Sequence, residues 1–220
     1  MQFLQTDRTI KLGLKTVSWI ERDLDNLGNP EQLKQLREQL YTLARNNTVA
    51  IENTIAGYYT LRERIGRSVR RFPPSPIALH GQFKRKSELA SISTAVDIYN
   101  LVSLATGLSI GAHDLQSIMG NVRLDITCGN ESFHPLGSDE VRQVPADEYA
   151  YLDDDNRVLC RMEYRQSAMT ALSGNSHECL FIVQGHENTS HELLLNAAEQ
   201  VSELLKAHCG SHRGNVWQTP

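Results

Sequence analysis

The stretch from Ser93 to Ile118 constrains the chain more than any other, because it joins one apolar helix directly to a short glycine-bearing connection. Ala95, Ile98, Leu101, Val102 and Ala105 recur at helical spacing, giving a face that has to pack against a sheet or a second helix. Ser93 or Thr94 caps its start and Gly107 ends it. Asp97, Asn100 and Leu104 share another face, so two polar side chains stand side by side on a largely apolar helix. Such a pair is either held in buried hydrogen bonds or lines a site. The connection from Gly107 to Asp114 reads as a tight loop. Its Gly107, Gly111 and Ala112 let backbone approach a ligand closely, and it also carries His113 and Asp114.

Beyond Asp114 the periodicity changes from helical to alternating. Val122, Leu124 and Ile126 point one way and Arg123 and Asp125 the other, so the chain enters a sheet. The polar run Asp153-Asp154-Asp155-Asn156 is a turn between strands at 149–152 and 157–165, and Cys179 to Val183 is an apolar run suited to a fully buried strand. Upstream, the β-formers of Thr9 to Ile20 predict a first strand. Asn29-Pro30 starts a helix with the stripe Leu33, Leu36, Leu40 and Leu43, and a second helix covers about 48–65. Phe72-Pro73-Pro74-Ser75-Pro76 breaks it, and a short basic helix at about 76–86 follows. Thr189 and Glu192 form a capping box for the last helix, whose core face is Leu194, Ala197, Ala198, Val201 and Leu205 and whose stop is Gly210. The expected fold is α+β, a mixed or antiparallel sheet core with packed helices. Residues 1–47 form a strand and helix packed on a main domain of 48–209, and 210–220 form an irregular tail.

The 220 residues, 40% apolar, supply one sizeable core. The first fifteen residues lack the apolar region of a signal peptide and no apolar run is long enough to span a bilayer, so the expectation is a cytoplasmic protein without membrane contact. Four cysteines without CxxC spacing read as buried thiols. Cys160, His177 and Cys179 are the combination with metal-ligand chemistry, but no metal or cofactor is expected. The net charge of −4 hides a basic segment, since residues 61–90 carry eight basic side chains against two acidic. Arg67, Arg70, Arg71, Lys84, Arg85 and Lys86 are its candidates for a phosphate backbone, the alternative being a solvated helix surface.

Three constellations carry candidate chemistry. Gly107-Leu108-Ser109-Ile110-Gly111 matches GxSxG, but a helix precedes it and none follows directly, which is the reverse of a nucleophile elbow. Asp97, Asn100, His113 and Asp114 are four polar side chains that the helix and its loop bring near one another. Against a site stand two structural roles: Asp97 suits a first helical turn and Asp114 can cap the next one. If 161–167 is a strand, Arg161, Glu163, Arg165 and Ser167 share one face, with Thr170 close behind, and can clamp a carboxylate or phosphate or form a salt-bridged edge.

Asp97-Ile98-Tyr99-Asn100 followed by Gly111-Ala112-His113-Asp114 resembles the paired Asp-Ile-Thr-Asn and His-Ala-Phe-Asp segments of the B3/B4 editing domain in the β chain of bacterial phenylalanyl-tRNA synthetase, and free-standing B3/B4 proteins more closely still. Phe133-His134-Pro135-Leu136-Gly137 is similar to the family's F-x-PLG loop, and the free-standing proteins carry a similar Arg-x-x-x-Arg-x-Ser run at the place of 161–167. The resemblance spans roughly 48–207. It implies a tRNA-binding protein that acts in trans as an editing hydrolase, removing a wrongly attached amino acid from the aminoacylated 3′ end, and not a complete synthetase. Asn100 matches a pocket asparagine of the family, whereas Gly111 and Ile182 stand where the synthetase has a histidine and a glutamate, which implies a different specificity. Implied substrate contacts are Asn100, Asp97, Gly107, His113, Asp114, Arg161, Glu163, Ser167 and Thr170, with Gly111 backbone and Arg165 stabilising the oxyanion. A non-catalytic tRNA-binding adaptor and a serine hydrolase built on Ser109 are the alternatives.

Overall fold

The computed structural model describes residues 1–218, Pro30 by its backbone alone. The chain opens with strand β1 (Phe3–Gln5) and a short helix α1 (Asp7–Leu12), then turns at Gly13 (φ +94°) into β2 (Lys15–Arg22). The expected strand over Thr9 to Ile20 is therefore two elements. Thr9 is buried in α1 and its hydroxyl is directed at the carbonyls of Thr6 (2.8 Å) and Leu124 (3.2 Å), so a tie to a neighbouring strand overrides the propensity of a β-branched residue. Helices α2 (Leu33–Asn46), α3 (Thr48–Arg64), α4 (Ser75–Lys86) and α5 (Thr94–Thr106) follow. Ser93 caps α5 by accepting from the Val96 N–H, and Gly107 ends it at φ +75°, where a Cβ would also come within 3.0 Å of the Ile51 carbonyl oxygen.

The expected loop after Gly107 is instead strand β3 (Ser109–Asp114), held along its length by antiparallel pairing. Asp114 then caps a single turn at Leu115–Ser117 through the Gln116 N–H. Next come β4 (Val122–Ile126), β5 (Ser132–Phe133), β6 (Arg142–Gln143), β7 (Tyr149–Asp153), β8 (Val158–Arg161), β9 (Arg165–Gln166) and β10 (Cys179–Gly185). The chain finishes with α6 (His191–Cys209) and β11 (His212–Gln218). Ser190, not Thr189, caps α6, because the Thr189 hydroxyl accepts from the His186 N–H instead. The expected irregular tail is ordered as β11 across 212–218, since β2 presents an open edge for it to pair with; residues 219–220 lie outside the described residues.

One sheet runs β11-β2-β10-β3 and a second runs β1-β4-β7-β8-β9, with β5 and β6 as a separate ribbon. All seven residues of β10 are buried because both of its faces are covered. Phe181 and Val183 join Trp19, Leu101 of α5 and Leu194 and Val201 of α6 in one core, with Trp19 and Phe181 stacked at 5.4 Å. Leu180 and Ile182, on the alternate face, pack with Leu124, Tyr149, Tyr151 and Leu159 of the second sheet and Tyr58 and Leu61 of α3. The continuous apolar run at 179–183 is thus the sequence mark of a strand sandwiched between a helical layer and another sheet. The first 47 residues, expected as a unit packed on the main domain, supply β1 to one sheet and β2 to the other. Among the described residues no helix is long and apolar enough to cross a membrane.

Candidate functional site

A cavity of about 180 Å³ opens where the edge strand β3 meets the β8–β9 hairpin. Alternation along β3 directs Ser109, Gly111 and His113 to its wall, and Ile182 and Gln184 of β10 stand beside them. Helix α5 contributes Tyr99 and Asn100, β7 contributes Tyr151, and the hairpin contributes Glu163, Tyr164 and Arg165. Asn100, Gly111 and Arg165, far apart in sequence, therefore line one space. A Cβ added to Gly111 would meet nothing within 4 Å, so the missing side chain leaves room there.

His113 is buried, and its Nδ1 lies 2.8 Å from the Thr170 hydroxyl. Burial lowers its pKa to about 4, so the ring is neutral at neutral pH, with Nε2 the nitrogen not committed to Thr170. Beneath the cavity Arg62 and Glu163, both almost fully buried, form an ion pair at 2.8 Å. Glu163 Oε2 also accepts from the Tyr149 hydroxyl (2.6 Å) and Gln184 Nε2 (2.7 Å), while the Tyr151 hydroxyl donates to Gln184 Oε1 (2.5 Å). Tyr58 donates to the Gln184 carbonyl (2.6 Å) and accepts from the Ser109 N–H (2.8 Å). This network ties α3, β3, β7, β10 and the hairpin together and spends the Glu163 carboxylate on internal partners. Burial raises the pKa values of Tyr58, Tyr149 and Tyr151, which keeps them neutral donors.

Several expected site residues lie elsewhere. Asp97 is clamped by Arg37, the Ser91 hydroxyl (2.5 Å) and the Ile92 N–H (2.8 Å), so it fastens α5 to α2 and the preceding loop. Asp114 caps its turn and accepts from Ser176 (2.5 Å), and Gly107 is a helix stop outside the cavity lining. Residues 161–167 are not one strand. Met162 takes φ +51° and the chain reverses, so Glu163 turns inward to Arg62, Arg161 turns to Glu148 (2.5 and 2.7 Å), and Arg165 stays exposed over the Tyr164 ring. Ser167 is buried against β8, its N–H on the Leu159 carbonyl, and Thr170 is the partner of His113. Ser109 bonds the Ser75 hydroxyl (2.9 Å), and it lies four residue steps along β3 from His113, about 13 Å at full extension. That spacing excludes a serine–histidine pair between them.

The basic segment also divides. Arg67 and Arg71 face a groove beside the cavity, Arg70 is exposed outside its lining, and Lys84, Arg85 and Lys86 occupy the last turn of α4, where Lys84 pairs with Glu52 (3.3 Å) and cations suit the helix terminus. Among the described residues no three His, Cys, Asp or Glu side chains are grouped to hold a metal, so Cys160, His177 and Cys179 do not form such a set. Cys128 is exposed, against the expectation of buried thiols, and Cys160 lines the cavity with its thiol pushed up to about 12 by burial. Sequence reasoning missed Tyr99, Tyr151, Tyr164 and Gln184, which read as core or strand residues and gain meaning only when the two sheets meet.

Residues 56–210 match the family model of the B3/4 domain. Among solved structures, the N-terminal fragment of the phenylalanyl-tRNA synthetase β-subunit from Pyrococcus horikoshii is similar over the whole chain, with a TM-score of 0.55 and 14% identity. The chain spans about half of that fragment, 54%. No curated protein sequence matches it. Gly111 and Ile182, where the family resemblance places a histidine and a glutamate, are Cα partners across β3 and β10 and both line the cavity.

Proposed function

The chain belongs to the B3/4-domain family, and from that premise we propose that it binds tRNA and hydrolyses the ester of a wrongly attached amino acid at the tRNA 3′ end. The observation that carries this reading is the cavity in which Asn100, His113 and Arg165 converge around the space left by Gly111. Its rings, Tyr99, Tyr151 and Tyr164, suit an aromatic amino-acid side chain, and Asn100 offers both a donor and an acceptor to hold it. In the reaction a water oxygen bonds the ester carbonyl carbon, the carbonyl oxygen takes the negative charge, and collapse releases the free amino acid and the ribose hydroxyl, which takes up the proton. Arg165 is exposed and bound only loosely, at 3.5 Å to the Leu136 carbonyl, so it is free to reach the developing oxyanion. Neutral His113 presents Nε2 to the water or the substrate, as an acceptor when its Nδ1–H donates to Thr170 and as a donor when Thr170 donates to Nδ1.

Gly111 and Ile182 bring no ionisable group, and the Glu163 carboxylate is engaged by Arg62, Tyr149 and Gln184 beneath the cavity. Placement of the water therefore rests on the substrate's own terminal hydroxyl and on His113, two residues along the same face of β3 from Gly111. The space at Gly111 favours a larger aromatic amino acid than a pocket with a histidine there accepts. The test is release of free amino acid from a panel of mischarged tRNAs. Faster release from at least one aromatic aminoacyl-tRNA supports the reading; no acceleration on any, with tRNA binding retained, makes the protein a non-catalytic adaptor.

A further inference from the structure

A second, wider depression of about 790 Å³ adjoins the cavity, and the two share Tyr164 and Arg165. Five arginines, Arg67, Arg71, Arg142, Arg161 and Arg165, line it, and Glu148 is the one carboxylate among the lining residues. Glu148 is fully buried and holds Arg67 (2.6 Å) and Arg161 (2.5 and 2.7 Å) at once. Burial works against its charge, but the hydrogen bonds from Arg161 and Arg67 outweigh that and set its pKa below the ordinary glutamate value. Two guanidinium groups are thus fixed in place before any ligand arrives, and Arg71, Arg142 and Arg165 remain without a carboxylate partner among the ion pairs of the described residues.

Aromatic rings alternate with these cations. Arg71 and Arg161 lie over Phe72 at 5.4 and 4.8 Å, Phe72 meets Tyr164 edge to face at 5.4 Å, and Arg165 lies over Tyr164 at 5.2 Å. Fixed cations interleaved with rings are the chemistry of a single-stranded nucleic acid, whose phosphates the arginines neutralise and whose bases stack on rings and guanidinium planes. An acidic peptide would use the charges but not the rings.

We infer that this groove is the track of the single-stranded 3′ end of the RNA, its phosphates running from Arg71 and Arg142 to Arg165 and its last nucleotide delivered to the cavity. This rests on the tRNA reading above and names where the strand lies. It also confines the RNA contacts of the basic segment to Arg67 and Arg71 and adds Arg142 and Arg161, which the segment does not contain.

The experiment measures binding of a fluorescent, uncharged single-stranded RNA ending in CCA to the full chain across a salt series, by anisotropy. Three unpaired arginines predict a log–log salt slope of about −2 for a single strand. Arg71→Glu with Arg142→Glu is expected to weaken binding at least tenfold and to flatten the slope by about 1.4, about 0.7 for each arginine lost, both positions being exposed so that folding is kept. Lys11→Glu with Lys34→Glu, the same change of net charge outside the groove, is expected to leave affinity and slope near wild type. Equal losses in the two double variants, no loss in the groove variant, or competition by polyglutamate as strong as by unlabelled RNA would each overturn the inference. Because the probe carries no amino acid, these outcomes stand apart from hydrolysis: a chain that releases no amino acid yet loses RNA with Arg71 and Arg142 keeps the groove and loses the hydrolase.

Discussion

Two glycines show how single positions divide between packing and site. Gly57 lies in α3, where a Cβ would fall 2.2 Å from the His186 ring, whose Nε2 is bonded to the Thr54 carbonyl (2.6 Å). Gly57→Ala is expected to cost about 1–3 kcal/mol by overpacking, whereas Gly111→Ala, whose Cβ meets open space, is expected to be neutral or to gain up to about 1 kcal/mol; urea unfolding measures both. His113 makes stability depend on pH. Its folded pKa of about 4 lies below its ordinary value of 6.5, so the stability is complete above pH 6.5 and is lost as pH falls towards 4. Thermal melts of His113→Gln should therefore change less over that interval than those of the wild type. Asn100 was legible as a candidate from its polar place on an apolar helix face, and His113 from the glycine-bearing connection that follows the helix. The first-turn place of Asp97 and the cap made by Asp114 were legible too, but their partners Arg37 and Ser176 were not, because both are distant in sequence.

At the level of elements, α2, α5, α6 and β10 are written in the sequence as an apolar stripe or as an unbroken apolar run, since one local pattern decides each of them. β11 carries no such pattern. Its exposed residues and its register shift between Arg213 and Val216 mark an edge strand that exists because β2 needs a partner. The β8–β9 hairpin was illegible for the opposite reason: its reversal at Met162 is secured from below by Arg62 on α3. That anchor gives a quantitative expectation. Arg62→Met leaves the Glu163 carboxylate buried without its cation and should cost about 3–5 kcal/mol, while Arg62→Met with Glu163→Leu should recover much of the loss. Chemical denaturation of the two variants decides it, and no recovery in the double variant would mean that the hairpin is held by other contacts.

Across the whole molecule, the two sheets meet over β10 and the cavity opens at the end of that seam, so its wall is drawn from α5, β3, β7, the β8–β9 hairpin and β10. The α+β class followed from the change of periodicity after Asp114, and the family from spaced motifs; the assembly of the site did not follow, because it depends on which strands become neighbours. Membership of the B3/4-domain family and a TM-score of 0.55 to a synthetase β-subunit fragment fix the fold, and the hydrolytic reading rests on what the cavity contains. The most direct measurement of it is single-turnover release of amino acid from mischarged tRNA by the wild type, Asn100→Ala and Arg165→Ala. The account predicts that the wild type accelerates release from at least one aromatic aminoacyl-tRNA and that Arg165→Ala loses about 10²-fold of that rate. Asn100→Ala should lose discrimination between amino acids. Equal rates with and without protein on every substrate would contradict it.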